Sequence, residues 1–277
     1  MIRELELKDR KSVLEIVKDI WEGDDYIPAA FDSWVSDGDC RFMGMWKDEA
    51  LVGVANLRRL SPTVGWLEGM RIKPEFQGKG YGRELAVEMM KLARNDRLEE
   101  LYFSTYFDNL ASIRINESLG FSRVAVFTNL ELELKPSADL EGELKYAGLQ
   151  IGREIAEIET YMSNDWFFIP PEIGRKSNWL KEPETLSREG NMAVVSRNPK
   201  VPECMEINYI EIGKSEDAEN FLSLLAGYAR EKGYSRVHTM VPENVELDAF
   251  LKNRFAPFER FHDVFIYRAR TDELRID

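Results

Sequence analysis

Three glycines, Gly78, Gly80 and Gly82, alternate through "QGKGYG" at 77–82, behind a strand-like run, "GWLEGMRIK", and directly before an amphipathic stretch. Glycines at this spacing clear side chains from the backbone, so that several N–H groups can converge on one anion at a helix N-terminus. The Walker phosphate loop is excluded, because no G-x-x-x-x-G-K-[ST] is present, and G-x-G-x-G is shorter than the dinucleotide fingerprint. The same residues could also make an ordinary tight turn. Glu68, on the preceding strand, is a carboxylate that can accept a proton or hold an ammonium ion. Asp24, Asp25 and Tyr26 could hold an amine, with a helix-terminating acidic loop as the alternative. Tyr102 and Tyr106, in "LEELYFSTYF", could offer a phenolic proton, with packing as the alternative.

The elements that must position these residues follow from periodicity. "IRELEL" alternates as a strand, and "DRKSVLEIVKDIWEG" places Val13, Ile16, Val17 and Ile20 at helical spacing. A short helix over "FDSWVSDG", a hairpin around "KDEA" and the strand carrying Glu68 come next. After the glycines, Leu85, Ala86, Met89, Leu92 and Ala93 form one apolar helix face. A strand, a short helix over "NLASIRINESLGF" and a strand over "RVAVFTNLELEL" complete the order β-α-α-β-β-β-loop-α-β-α-β. The polar stretch "KPSADLEGELKYAGLQ" reads as a boundary, which divides the chain into 1–136 and 137–277. The second half opens on an aromatic and proline-rich segment, in which Trp166, Phe167 and Phe168 read as core or as pocket lining. It then repeats strand–helix–strand–helix–strand without the glycine loop.

The chain has 277 residues, 44% hydrophobic and 31% charged, with a formal net charge of −13. Such a composition describes a globular α/β protein and argues against a nucleic-acid-binding surface, which needs basic patches. No apolar run reaches the roughly 20 residues that span a bilayer, and "MIRELELKDR" lacks a signal peptide's apolar core, so a cytoplasmic location is expected. Two distant cysteines, Cys40 and Cys204, and two histidines, His238 and His262, offer little for a metal site, and none is expected.

The segment "MRIKPEFQGKGYG" resembles the acetyl-CoA signature of the GNAT N-acetyltransferase superfamily, matching at Met70, Ile72, Pro74, Gln77, Gly78, Gly80 and Gly82. A second landmark, Asn109 and Ala111 followed by "LGF" at 119–121, agrees, and the resemblance covers residues 1–134. It implies the GNAT fold, a mixed central sheet in an α/β domain, followed by a smaller, degenerate GNAT-like domain. It also implies that the amides of Gln77, Gly78, Lys79, Gly80, Tyr81 and Gly82 cradle the pyrophosphate of coenzyme A. Backbone groups of Met70, Arg71 and Ile72 would pair with the pantetheine arm, and Asn109 and Ser112 would meet the cofactor at the start of a helix. Lys79 and Arg83 could add charge.

The implied activity is direct transfer of an acetyl group from acetyl-CoA to the amine of a small molecule or amino acid. Glu68 and Tyr106 are its catalytic candidates, and Asp24, Asp25 and Tyr26 its acceptor-binding candidates. Many members carry an acidic tyrosine five residues before the phenylalanine of "GF", whereas this chain has Asn116. Segments 21–35 and "LEGMRI" are similar to histidine N-acetyltransferases. Acetylation of a protein or peptide, and a non-catalytic coenzyme A sensor, stay open, as does a homodimer.

Overall fold

The computed structural model describes residues 1–134, 148–152, 158, 160–174, 179–180, 182–213 and 216–276. It divides into two compact units, Met1–Val124 with Ile266–Asp277, and Ala125–Phe265. The expected boundary at 136 lies outside the described residues, and the observed division differs from it: the chain leaves the first unit earlier and returns to it at the end.

The first unit runs β1 (Ile2–Glu4), α1 (Arg10–Val17), α2 (Ile27–Ser36), β2 (Cys40–Lys47), β3 (Ala50–Arg59), β4 (Val64–Ile72), α3 (Tyr81–Asn95), β5 (Glu100–Tyr106) and α4 (Leu110–Ser118), then enters β6 (Ser122–Glu133). Strands β1 to β4 pair antiparallel in sequence order, and β5 joins β4 in parallel. This is the mixed sheet of the expected α/β class. Helix α3 buries Leu85, Ala86, Met89 and Ala93 of the expected face, with Met90 buried in addition and Leu92 only half-buried. Val13, Ile16 and Val17 of α1 and Ile27, Phe31 and Trp34 of α2 pack in one cluster with Phe42 and Val54. Each such apolar side chain contributes about 1.5–3 kcal/mol on burial.

The final strand, β15 (Val264–Arg270), lies beside β5. Behind it Arg94 donates to the carbonyls of Thr271 (2.7 Å) and Leu274 (2.9 Å), Thr271 donates to the carbonyl of Leu98 (2.6 Å), and the Arg275 amide bonds to Leu119 (3.0 Å). Leu274 and Ile276 are buried.

The second unit contains β7 (Gln150–Gly152), β8 (Met162–Asn164), β9 (Phe167–Ile169), α5 (Pro171–Gly174), β10 (Glu184–Arg188), β11 (Asn191–Arg197), β12 (Cys204–Glu211), α6 (Glu216–Glu231), β13 (Arg236–Pro242), α7 (Asp248–Lys252) and β14 (Ala256–Pro257). Strand β12 pairs antiparallel with β11 and parallel with β13, with a register shift at Val194/Val195. In the first unit β4 pairs antiparallel with β3 and parallel with β5, with a register shift between Val54 and Asn56. The repeat thus includes a hairpin, β10–β11, that the sequence reading passed over. Its turn, Glu189 (φ 51°) and Gly190 (φ 81°), has the two positive φ angles of a type I′ turn without the usual Asn-Gly or Asp-Gly. Phe168 is fully buried and its ring lies 4.8 Å from Phe127, so this residue is core.

A buried polar cluster pins β8–β9 to β12. Glu206, with no exposed surface, accepts from Asn198 (2.9 Å) and the Asp165 amide (3.1 Å) and meets His238 Nδ1 at 2.8 Å. His238 Nε2 lies 2.8 Å from Asn129 Oδ1, and Asn208 donates to the Ser163 carbonyl at 2.8 Å.

Candidate active site

The glycine loop adopts the backbone its sequence anticipates. Gly78 and Gly80 have φ of 73° and 83°, left-handed values that side chains other than glycine resist. Gly80 is the N-cap of α3, with no side-chain cap. The amides of Gly78 through Arg83 donate to no backbone carbonyl among the described residues, so a row of donors stands at the positive end of a fifteen-residue helix. A Cβ built on Gly78 or Gly80 meets nothing within 4 Å. An anion therefore finds amides and open space there. Gln77 braces the entry by donating to the Ile72 carbonyl at 3.0 Å. Lys79 lies 5.1 Å above the Phe76 ring, and Lys47 lies 4.8 Å above Tyr81.

Strand β4 leads into this loop and changes partners along its length. Its parallel pairing with β5 covers only Val64, Gly65 and Trp66. Beyond Trp66 the strands no longer pair, and backbone alternation turns groups of Met70 and Ile72 away from β3 into that gap. An extended ligand could pair there as an added strand. The bulge sits at Gly69 (φ 66°), where a Cβ would come within 2.7 Å of the Trp34 ring. Gly69 is thus required twice, for its backbone angle and for its packing.

Glu68 lies between the pairing and the gap, largely buried. Its Oε1 accepts from Asn56 Nδ2 (2.9 Å) and from Arg58 Nε (3.0 Å), so both bonds fall on one oxygen. The sequence reading did not single out Asn56 or Arg58. A signal was present, since Asn56 is an amide inside the apolar run "ALVGVANL".

Asp25 and Tyr26 also tie into the frame. Asp25 is buried: Oδ2 meets Arg71 Nε at 2.7 Å, and Oδ1 accepts the Ile27 amide at 2.8 Å. Its two oxygens fasten the start of α2 to β4, which the spacing could not foretell because Arg71 lies 46 residues away. Tyr26 packs edge-on to Trp34 with the Arg71 guanidinium 5.5 Å from its ring. Burial, with Glu68 nearby, pushes its phenol well above the usual range. Asp24 is exposed.

Asn109 is the N-cap of α4, its side chain accepting from the Ser112 amide at 3.3 Å. Asn116, where a tyrosine is common, donates to Ser112's carbonyl (2.9 Å) and hydroxyl (3.3 Å) within its own helix. Tyr102 is fully buried, with its hydroxyl on Glu100 at 2.9 Å, whereas Tyr106 ends β5 half-buried. Burial pushes the Cys40 thiol up to about 11 and that of Cys204 higher, so both are protonated at neutral pH and neither is a ready nucleophile. No cluster of metal-ligating side chains occurs among the described residues, and no described helix is long and apolar enough to cross a membrane.

Residues 6–121 match the model of the acetyltransferase (GNAT) family. Over 122 residues the chain is 30% identical to N-alpha-acetyltransferase RimI of Mycobacterium tuberculosis, covering 43% of this chain and 75% of that enzyme. It is 25% identical over 113 residues to histidine N-acetyltransferase of Xenopus tropicalis, covering 36% of this chain and 35% of that protein. The structure of a GCN5-related N-acetyltransferase from Sphaerobacter thermophilus matches its fold with a TM-score of 0.65 at 11% identity, over 98% of this chain and 95% of that one. The glycine loop, the splayed β4 and these matches agree: the chain belongs to the GNAT family of acetyl-CoA-dependent N-acetyltransferases.

Proposed function

We propose that this enzyme acetylates the α-amine of a small molecule or free amino acid by direct transfer, with the 77–82 amides holding the pyrophosphate of acetyl-CoA. The observation that carries the acceptor reading is Glu68, a largely buried carboxylate on β4 just past the end of its pairing with β5. The amine's lone pair forms the new C–N bond as the thioester C–S bond breaks. The proton lost from nitrogen passes to Glu68, directly or through water, and the sulfur leaves as a thiolate that ends as the free thiol. A thiol of pKa about 8.5 is a fair leaving group, which is why Asn116 need not be an acid. An amine of pKa about 10.4 costs roughly 4–5 kcal/mol to deprotonate at neutral pH, whereas an α-amine near 8 costs little more than about 1 kcal/mol. With Glu68 as the one candidate base, the α-amine is the easier task.

Similarity to an N-alpha-acetyltransferase favours a second reading, in which the α-amine belongs to a peptide N-terminus. Assaying thiol release from acetyl-CoA with free amino acids, polyamines and short peptides separates the two. With the best acceptor, Glu68→Gln is expected to lower kcat at least tenfold while acetyl-CoA affinity in calorimetry stays unchanged. Wild-type kcat in this variant would remove Glu68 from the chemistry. Cofactor binding without turnover on any amine would instead favour a sensor.

A further inference from the structure

We propose that Asn56 and Arg58 are positioning residues for Glu68: together they fix one carboxylate oxygen so that the other is held for the acceptor's amine. This rests on the reading of Glu68 given above. Asn56 stands directly opposite Glu68 in the β3–β4 register, and Arg58 stands opposite Trp66. Both donors reach the same oxygen, Oε1, at 2.9 and 3.0 Å, which holds that oxygen in place. An unbraced glutamate would spread over several rotamers, and the reactive geometry would have to be found at each turnover. Both side chains of the ion pair are shielded, 24% exposed at Arg58 and 14% at Glu68, so solvent screens the contact less than at an open surface.

Asn56 gives the stronger argument. It has no exposed surface, its strand neighbours Ala55 and Leu57 are buried and apolar, and its Oδ1 is buried without a hydrogen bond. The side chain's other contact is a long one to Cys40 Sγ at 3.7 Å. A fold selected for stability alone would place an apolar residue here, because an orphaned buried carbonyl is a standing cost. What the amide supplies is one N–H on Glu68.

The test is steady-state kinetics and melting temperature of Asn56→Leu, Arg58→Gln and Arg58→Lys beside Glu68→Gln. Asn56→Leu is expected to melt at or above the wild-type temperature yet lose about tenfold or more in kcat, with KM for acetyl-CoA unchanged. Arg58→Gln is expected to behave likewise in kcat, and Arg58→Lys to recover part of the loss. Arg58→Gln keeps the proposal testable should Asn56→Leu fail to fold. Wild-type kcat in Asn56→Leu or Arg58→Gln, beside a slow Glu68→Gln, would overturn the brace and leave the proposed function standing. An unmutated enzyme that acetylates no amine would overturn both.

Discussion

Alanine at both Gly78 and Gly80 is expected to weaken coenzyme A binding at least 100-fold in calorimetry while lowering the melting temperature by only about 5–8 °C. The two effects have separate origins. The left-handed φ of 73° and 83° costs a residue with a Cβ roughly 1 kcal/mol or slightly more at each position. A total near 2 kcal/mol corresponds to about that fall for a unit of this size. No protein atom lies within 4 Å of either added methyl group, so steric damage within the fold is absent. The methyl groups enter the space in front of the amide row, where a phosphate oxygen needs an approach of about 3 Å. Full affinity in the double variant, with the fold intact, would show that the amides of this loop do not hold the cofactor.

Glu206→Ala is expected to lower the melting temperature by about 10 °C, the largest loss of stability from one substitution in the second unit. It leaves His238 enclosed without the carboxylate that favours its charge, strips Asn198 and the Asp165 amide of their acceptor, and leaves the Asn208–Ser163 bond to hold the β8–β9 hairpin to β12. Removing one partner of a buried pair typically costs about 3–5 kcal/mol. Burial alone would lower the pKa of His238, but the charge of Glu206 and its hydrogen bond override this and bring it up to about 9. The carboxylates of Asp165 and Glu131 act in the same direction, themselves facing Lys200 and Arg236. Since the folded value lies above the unfolded one of about 6.5, the stabilisation is complete below the latter and declines as pH rises through 9. Melting temperature measured from pH 6 to 10 should therefore fall on the alkaline side in the wild type, and His238→Gln should flatten that limb. An equal alkaline decline in both proteins would locate the titration elsewhere.

The two sites differed in how far the sequence could announce them. The backbone of the glycine loop was legible because every requirement is local: positive φ at Gly78 and Gly80, a strand before and an amphipathic helix after. Glu68 was legible as a position on β4, but its brace was not, because Asn56 and Arg58 reach it across a hairpin. Asp25 stayed open between an amine ligand and part of an acidic loop, since an acidic pair in a loop gives no sign of a distant arginine. The cluster at Glu206 went unread because its members, Asn129, Asp165, Asn198, Glu206 and His238, come from five separate segments. Each alone is an ordinary polar residue, although a glutamate inside "CMEINYIEI" was an available warning. The final strand reads as the natural end of the second repeat, and nothing in "HDVFIYRAR" tells which unit it joins.

That last strand gives the chain an order of assembly. Residues 266–276 supply the strand beside β5 and the carbonyls that Arg94 binds, so the first unit stays open while residues 125–265 are being made. At about 5–20 residues per second, this is a wait of roughly 7–28 seconds on the ribosome. The half that holds the glycine loop is therefore begun first and finished last, and throughout that interval the buried partners of Leu274 and Ile276 are accessible to chaperones and proteases.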